Sequence, residues 1–136
     1  METLGRRRVA AAVIALPVAA VDLAYKAASP SAFRHDRWAG SALLMVLVAV
    51  ALVLVATRLP SAVAAVGAGA AAGGALGNAV SLIVWSGVPD PLVVRGSAGG
   101  VAFNLADVFA VAGDAVLLAS AAVYAVRNRT RLREPV

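Results

Sequence analysis

The chain has 136 residues, of which 62% are hydrophobic, and its mean hydropathy is +0.89. A soluble domain averages about 45–50% apolar residues, so composition indicates a membrane protein that forms one compact helical unit. The net charge of +5 permits nucleic-acid binding, but the arginines stand beside apolar runs, which favours a role in membrane orientation and no nucleic-acid partner. The absence of cysteine excludes disulfides, thiolate metal sites and a cysteine nucleophile, and one histidine, His35, leaves no histidine metal cluster.

Four apolar segments, at about residues 9–28, 40–57, 61–85 and 105–126, are each near the roughly 20 residues that a spanning helix needs. Alternating β-barrel patterning is absent, and backbone in lipid must satisfy its own hydrogen bonds, so spanning segments are helical. We therefore predict an all-α membrane protein, a four-transmembrane-helix bundle that forms a single domain over residues 1–136. The first segment, with basic residues before it, also fits a signal peptide, and this alternative stays open.

Basic residues set the predicted orientation. The side with more of them holds Arg6, Arg7, Arg8, Arg58, Arg127, Arg129, Arg131 and Arg133, and the opposite side holds Lys26, Arg34, Arg37 and Arg95. The excess predicts that both termini are cytoplasmic, with a basic tail at 127–136. The polar loops 29–39 and 86–104 then face outward, and the run His35-Asp36-Arg37 is predicted to be a solvated part of the first loop.

The first and third segments carry polar residues among apolar ones. Asp22 and Lys26 form an i,i+4 pair with the acid before the base, which is the favourable order in a helix. The pair is either structural or part of a site. The third segment places Gly69, Gly73 and Gly77 on one face, where another helix can approach closely. Asn78 follows, and a side-chain amide at that depth in a membrane needs a hydrogen-bond partner. Asn78 therefore either helps two helices pack or supports a functional site.

Two aspartates border the fourth segment. Asn104 and Asp107 have the spacing of an N-cap and the third helical position, so helix capping alone explains Asp107. Asp90 lies between two prolines, which stiffen the backbone and fit a solvated turn. The alternative interpretation is that both aspartates are functional, because acids at a membrane edge are rare and usually functional. The loop is long enough for Asp90 to reach Asp107.

If these two carboxylates meet, they share one proton. The ionised one removes a proton from water and the protonated one donates to the scissile group, with no metal or covalent nucleophile. The helix end favours Asp107 as the ionised member. Asp114 lies on the same helical face two turns deeper, and we predict that it has a partner inside the bundle.

The combined motifs resemble the lipoprotein signal peptidase (signal peptidase II) family, membrane aspartic proteases with four transmembrane helices. Asp22-Leu23-Ala24-Tyr25-Lys26 is similar to the family's Asp-x-x-x-Lys, Gly73-Gly74-Ala75-Leu76-Gly77-Asn78 to its Gly-Gly-Ala-Leu-Gly-Asn block, and Phe103-Asn104-Leu105-Ala106-Asp107 to its Phe-Asn-Val-Ala-Asp motif. Asp90 stands twelve residues after Asn78, where the family has its first catalytic aspartate.

The resemblance implies an aspartic endopeptidase without metal or cofactor, in the bacterial cytoplasmic membrane with its site facing outward. Asp90 and Asp107 would be catalytic, and the supporting polar residues would be Asn78, Asn104, Asp22 and Lys26. The substrate would be a diacylglyceryl-modified prolipoprotein, held in the lipid bilayer and cut before its lipidated cysteine.

The chain departs from the family pattern at Ser81-Leu82, in the first outer loop, and at Pro89 and Pro91, which are not the usual neighbours of the first catalytic aspartate. Ser81 and Leu82 stand where the family has Asp-Arg, which removes an ion pair. The first outer loop is short, and only Ser31-Ala32-Phe33 remotely matches the family's Asn-x-Gly-x-Ala-Phe. Two alternatives therefore stay open: a catalytically impaired homologue that binds lipidated substrate or a partner, and a small non-enzymatic membrane protein.

Overall fold

Four long helices dominate the fold. The computed structural model describes residues 3–38, 40–97 and 99–129. Arg131 and Arg133, which we predict to be cytoplasmic, lie outside the described residues. The helices are α1 (Leu4–Ala28), α2 (Gly40–Leu54), α3 (Ala62–Trp85) and α4 (Leu105–Arg127), and a short 3-10 turn, Ala56–Arg58, follows α2. All four helices, with α2 taken together with this turn as Gly40–Arg58, are long and apolar enough to cross a membrane, which confirms the prediction of an all-α, four-helix membrane protein.

Two helix ends differ from those predicted by hydropathy. α1 begins at Leu4, ahead of the apolar run, because Thr3 caps it by accepting a hydrogen bond from the backbone N–H of Arg6. α2 ends at Leu54, before the predicted end at residue 57, because the chain tightens into the 3-10 turn. Apolar content indicates which part of a helix fits into lipid. It does not detect a polar first or last turn of the same helix.

The two predicted polar loops contain four short strands. β1 (Phe33–His35) pairs antiparallel with β2 (Val88–Asp90), and β3 (Leu92–Gly96) forms a hairpin with β4 (Gly99–Phe103). Proline disfavours helical backbone in the residue before it, and the β-branched valines in the second loop suit extended chain. The strands place the two loops against each other at one end of the bundle.

α3 is the central helix, packed against α1, α2 and α4. In its most apolar stretch 67% of the residues are buried, against 6% in α4, so α3 is the core and α4 lies at the periphery. The buried residues of α3 are largely alanine and glycine, and these small residues let the backbones of neighbouring helices approach closely. At Gly73, an added Cβ would lie 2.7 Å from the carbonyl oxygen of Ala15 and 2.6 Å from Cβ of Val18.

Gly73→Ala is therefore expected to destabilise the bundle by about 1–3 kcal/mol, the usual cost of overpacking, because α1 must move away from α3. The measurement is thermal unfolding in detergent micelles. Gly5→Ala is the matched control, since its added Cβ meets nothing closer than 4.0 Å. Equal stability of Gly73→Ala and the parent chain would contradict the close approach of the two helices.

The ends of the bundle differ in charge. At one end, Arg7 Nε donates to the carbonyl oxygen of Thr57 (3.0 Å), and Arg8 Nη2 donates to that of Leu54 (3.2 Å). These arginines satisfy carbonyls that a helix C-terminus leaves free. The opposite end contains the C-terminus of α1, the N-terminus of α4 and the strands, and the polar residues singled out in the sequence gather there.

Candidate active site

Asn104 connects the two aspartates. It is the N-cap of α4 and is fully buried. Its Nδ2 donates to Oδ1 of Asp90 at 2.6 Å. Its backbone N–H donates to Oδ2 of Asp107 at 3.1 Å, while its Oδ1 accepts from the backbone N–H of Asp107 at 3.0 Å. One residue therefore holds both carboxylates at the start of α4.

The two carboxylates have different surroundings. Asp90 ends β2 and is 2% exposed. Asp107 is half-buried in the first turn of α4, where it completes the capping box predicted from its spacing to Asn104. Its Oδ1 also accepts from Nδ2 of Asn78 at 3.0 Å.

A buried ion pair supports the site from α1. Lys26 Nζ donates to Oδ2 of Asp22 (2.6 Å), Oδ1 of Asn78 (2.7 Å) and Oγ of Ser81 (3.1 Å), which uses all three ammonium donors. Oδ1 of Asp22 accepts from the backbone N–H of Ala106 at 2.8 Å. The pair predicted from i,i+4 spacing therefore joins α1 to both α3 and α4.

Gly77 makes room for this pair. A Cβ on Gly77 would lie 2.6 Å from Oδ2 of Asp22. The glycine spacing in α3, predicted for helix packing, thus also allows a carboxylate to fit between α1 and α3.

The hydrogen bonds fix how each amide points. An ammonium group has only donors, so Lys26 requires the oxygen of Asn78 and leaves its NH₂ group for Asp107. Likewise the N–H of Asp107 requires the oxygen of Asn104, which turns the NH₂ group toward Asp90. Both aspartates therefore face N–H donors and accept a hydrogen bond from an amide NH₂ group.

Ser81 occupies the position where the family has an acid. It is fully buried, accepts from Lys26 and donates its hydroxyl hydrogen to the carbonyl oxygen of Gly77 at 2.7 Å. Leu82, in the place of the family's arginine, packs against Ala42 and Val88. A neutral hydrogen bond and an apolar contact thus stand where the family has an ion pair.

Ser81→Ala is expected to cost about 1–3 kcal/mol, because one donor of buried Lys26 loses its acceptor. Unfolding in detergent measures this change. Ser120→Ala is the control, since the Ser120 hydroxyl makes no hydrogen bond with any residue that the structure describes. No difference between the two variants would show that Ser81 does not support Lys26.

One sequence prediction is incomplete and another is wrong. The run His35-Asp36-Arg37 is exposed, as predicted for a solvated part of the first loop, but Nδ1 of His35 also lies 2.5 Å from Oδ2 of Asp90. Asp114 has no partner inside the bundle; it lies on an exposed face of α4 and makes no hydrogen bond or ion pair with another described residue. No local pattern marks the His35 contact, because it depends on the pairing of β1 with β2, two strands distant in the sequence.

An apolar groove leads away from Asp107. It has a volume of about 450 Å³ and is lined by Val101, Phe103, Asp107, Val108, Val111, Ala112 and Ala115. It runs from β4 along the exposed side of α4. Among the described residues, no cluster of three or more histidines, aspartates or glutamates is placed to hold a metal ion.

A four-helix membrane bundle with two aspartates joined at one end has the features of a membrane aspartic peptidase. The family model of signal peptidase (SPase) II matches residues 10–123, which include most of α1 and every polar residue of this site. The chain therefore belongs to the signal peptidase II family, the lipoprotein signal peptidases, which are aspartic peptidases. A search of curated proteins finds no match to the chain.

Proposed function

We propose that this protein is a membrane aspartic endopeptidase that removes the signal peptide from lipid-modified prolipoproteins, with Asp90 and Asp107 as the catalytic pair. The observation that carries the proposal is the bridge made by Asn104, which bonds to both carboxylates. Asn78, Asp22 and Lys26 are proposed to hold this arrangement in place.

The two aspartates share one proton in the active state. The ionised carboxylate removes a proton from water, and the resulting hydroxide attacks the scissile carbonyl carbon. The protonated carboxyl donates its proton to the leaving nitrogen as the carbon–nitrogen bond breaks. The immediate products are a carboxylic acid on the signal peptide and an amine on the lipidated cysteine, and the pair again holds one proton. Transfer of the acid's proton to the amine then gives a carboxylate and an ammonium group.

The groove beside Asp107 supports a lipidated substrate. Its lining is almost wholly apolar, and it borders the proposed catalytic carboxylate at one end. An acyl chain placed there would leave the cysteine backbone near Asp107. We therefore propose that the groove receives one acyl chain of the diacylglyceryl group.

The distribution of charge supports an outward-facing site. Arg7, Arg8 and Arg127 lie at the end of the bundle opposite to Asp90 and Asp107. Basic residues favour the cytoplasmic side. We propose that both termini are cytoplasmic, that residues 1–136 form one transmembrane domain, and that the site faces outward from the bacterial cytoplasmic membrane.

The test uses two prolipoprotein peptides that differ only in the diacylglyceryl group on the cysteine. The purified protein is expected to cut the lipidated peptide before the cysteine and to leave the unmodified peptide intact, as seen by product mass. Equal cutting of both peptides would contradict a role for lipid in recognition.

The second candidate is a homologue that binds lipidated substrate without cutting it, which the replacement of the family's Asp-Arg by Ser81 and Leu82 favours. Saturable binding of the lipidated peptide, with no product at any enzyme concentration, would support this candidate over the peptidase.

A further inference from the structure

The His35 ring meets Asp90 on the side away from Asn104. Its Nδ1 lies 2.5 Å from Oδ2 of Asp90, while Asn104 occupies Oδ1. The Asp90 side chain is 2% exposed and the His35 side chain 48% exposed. The imidazole thus connects a buried carboxylate to solvent.

The fold holds the ring in this place. β1 pairs with β2 so that Phe33 is opposite Asp90, which puts His35 on the same face of the strand pair two residues along. The Phe33 and His35 rings meet edge to face at 4.8 Å. Arg34 Nη1 donates to the carbonyl oxygen of Trp85 at 3.0 Å, which ties β1 to the end of α3.

The other charged groups near the ring are directed elsewhere. The Arg34 guanidinium bonds to the end of α3, and the side chains of Arg34 and Asp36 both lie beside Gly87. Asn104 stands between Asp107 and Asp90 and bonds to both, and Lys26 bonds to Asp22 and Asn78. Among the described residues, Asp90 is the carboxylate that His35 bonds.

We infer, on the basis of the proposed function, that His35 is a positioning residue that holds the Asp90 carboxylate in place from the side opposite to Asn104. Histidine ordinarily changes its charge between about pH 5 and 8. An imidazolium at hydrogen-bond distance stabilises the ionised form of a carboxyl group. At low pH it therefore opposes the second protonation that would inactivate the pair.

The test compares His35→Asn, which keeps an N–H donor near the position of Nδ1 without a titrating ring, with His35→Ala, which removes both. The acid limb of the kcat–pH profile is expected to move to higher pH by roughly one unit or more in both variants. His35→Asn is expected to retain most of the maximal kcat, and KM is expected to stay the same. Arg37→Ala, an exposed residue of the same loop, is the control and should keep the parent profile.

The position of the limb does not depend on how much protein folds, so a partly unfolded variant remains informative. Coincident acid limbs in the parent and both variants would overturn the inference and leave the proposed function standing. A parent chain without cleavage would overturn both. As a readout independent of activity, the nuclear magnetic resonance signal of the single histidine should show a hydrogen-bonded Nδ1 proton that Asp90→Ala removes, and its absence in the parent chain would also overturn the inference.

Discussion

Asp107→Glu is expected to abolish most cleavage while leaving the protein as stable as the parent chain. Glutamate at the third helical position is a preferred partner in a capping box, so the start of α4 keeps its cap. The extra methylene moves the carboxylate by more than about 1 Å relative to Asp90, and a displacement of that size costs about 10²-fold in rate. The measurements are the initial rate on lipidated peptide and thermal unfolding in detergent.

Asp107→Asn is the companion variant, because it keeps the shape of the side chain and removes the acid. Its cleavage rate is expected to fall by about 10²–10⁴-fold, the usual contribution of general acid–base catalysis. If Asp107 served only as a helix cap, Asp107→Glu would cut at the parent rate, and this outcome would refute its catalytic role.

Lys26→Met is expected to have the largest effect on stability. Both side chains of the Lys26–Asp22 pair are fully buried, and removing one partner of a buried pair costs about 3–5 kcal/mol, because the remaining charge is unpaired. Cleavage should also fall, since the Asn78 amide is then free to turn its oxygen toward Asp107. Unfolding in detergent and initial rates measure the two effects.

The double variant Asp22→Asn with Lys26→Met separates the ion pair from simple packing. It leaves no charge at either position of the pair, and the amide introduced by Asp22→Asn would retain an oxygen for the N–H of Ala106. We expect it to be more stable than Lys26→Met alone. Additive losses from the two substitutions would show that the charges do not interact.

Local patterns predicted much of the fold and site. The apolar runs predicted four helices because lipid admits few other structures. The spacing of Asn104 and Asp107 predicted a cap that the structure contains, and the i,i+4 spacing of Asp22 and Lys26 predicted a contact that is present. In each case the two residues lie about one helical turn apart, where sequence spacing determines distance.

Contacts between distant segments were not predictable. His35 reaches Asp90 through strand pairing across the intervening helices α2 and α3, and neither strand has a strong local pattern. Asp114 was correctly placed on the Asp107 side of α4 by periodicity, but periodicity does not say which side packs against α3. Gly113 and Ala106 are the buried residues of α4. Asp107, in the first turn, still reaches Asn78 of α3, whereas Asp114 lies on the exposed side.

The most direct test of the central claim is a single-turnover cleavage assay in lipid bilayers, with the parent chain compared with the double variant Asp90→Asn, Asp107→Asn at equal folded amounts. The parent chain is expected to release a signal peptide whose mass places the cut just before the lipidated cysteine, and the double variant is expected to release none. Equal product from both proteins, or none from the parent chain while it binds the lipidated peptide, would contradict catalysis by these two aspartates.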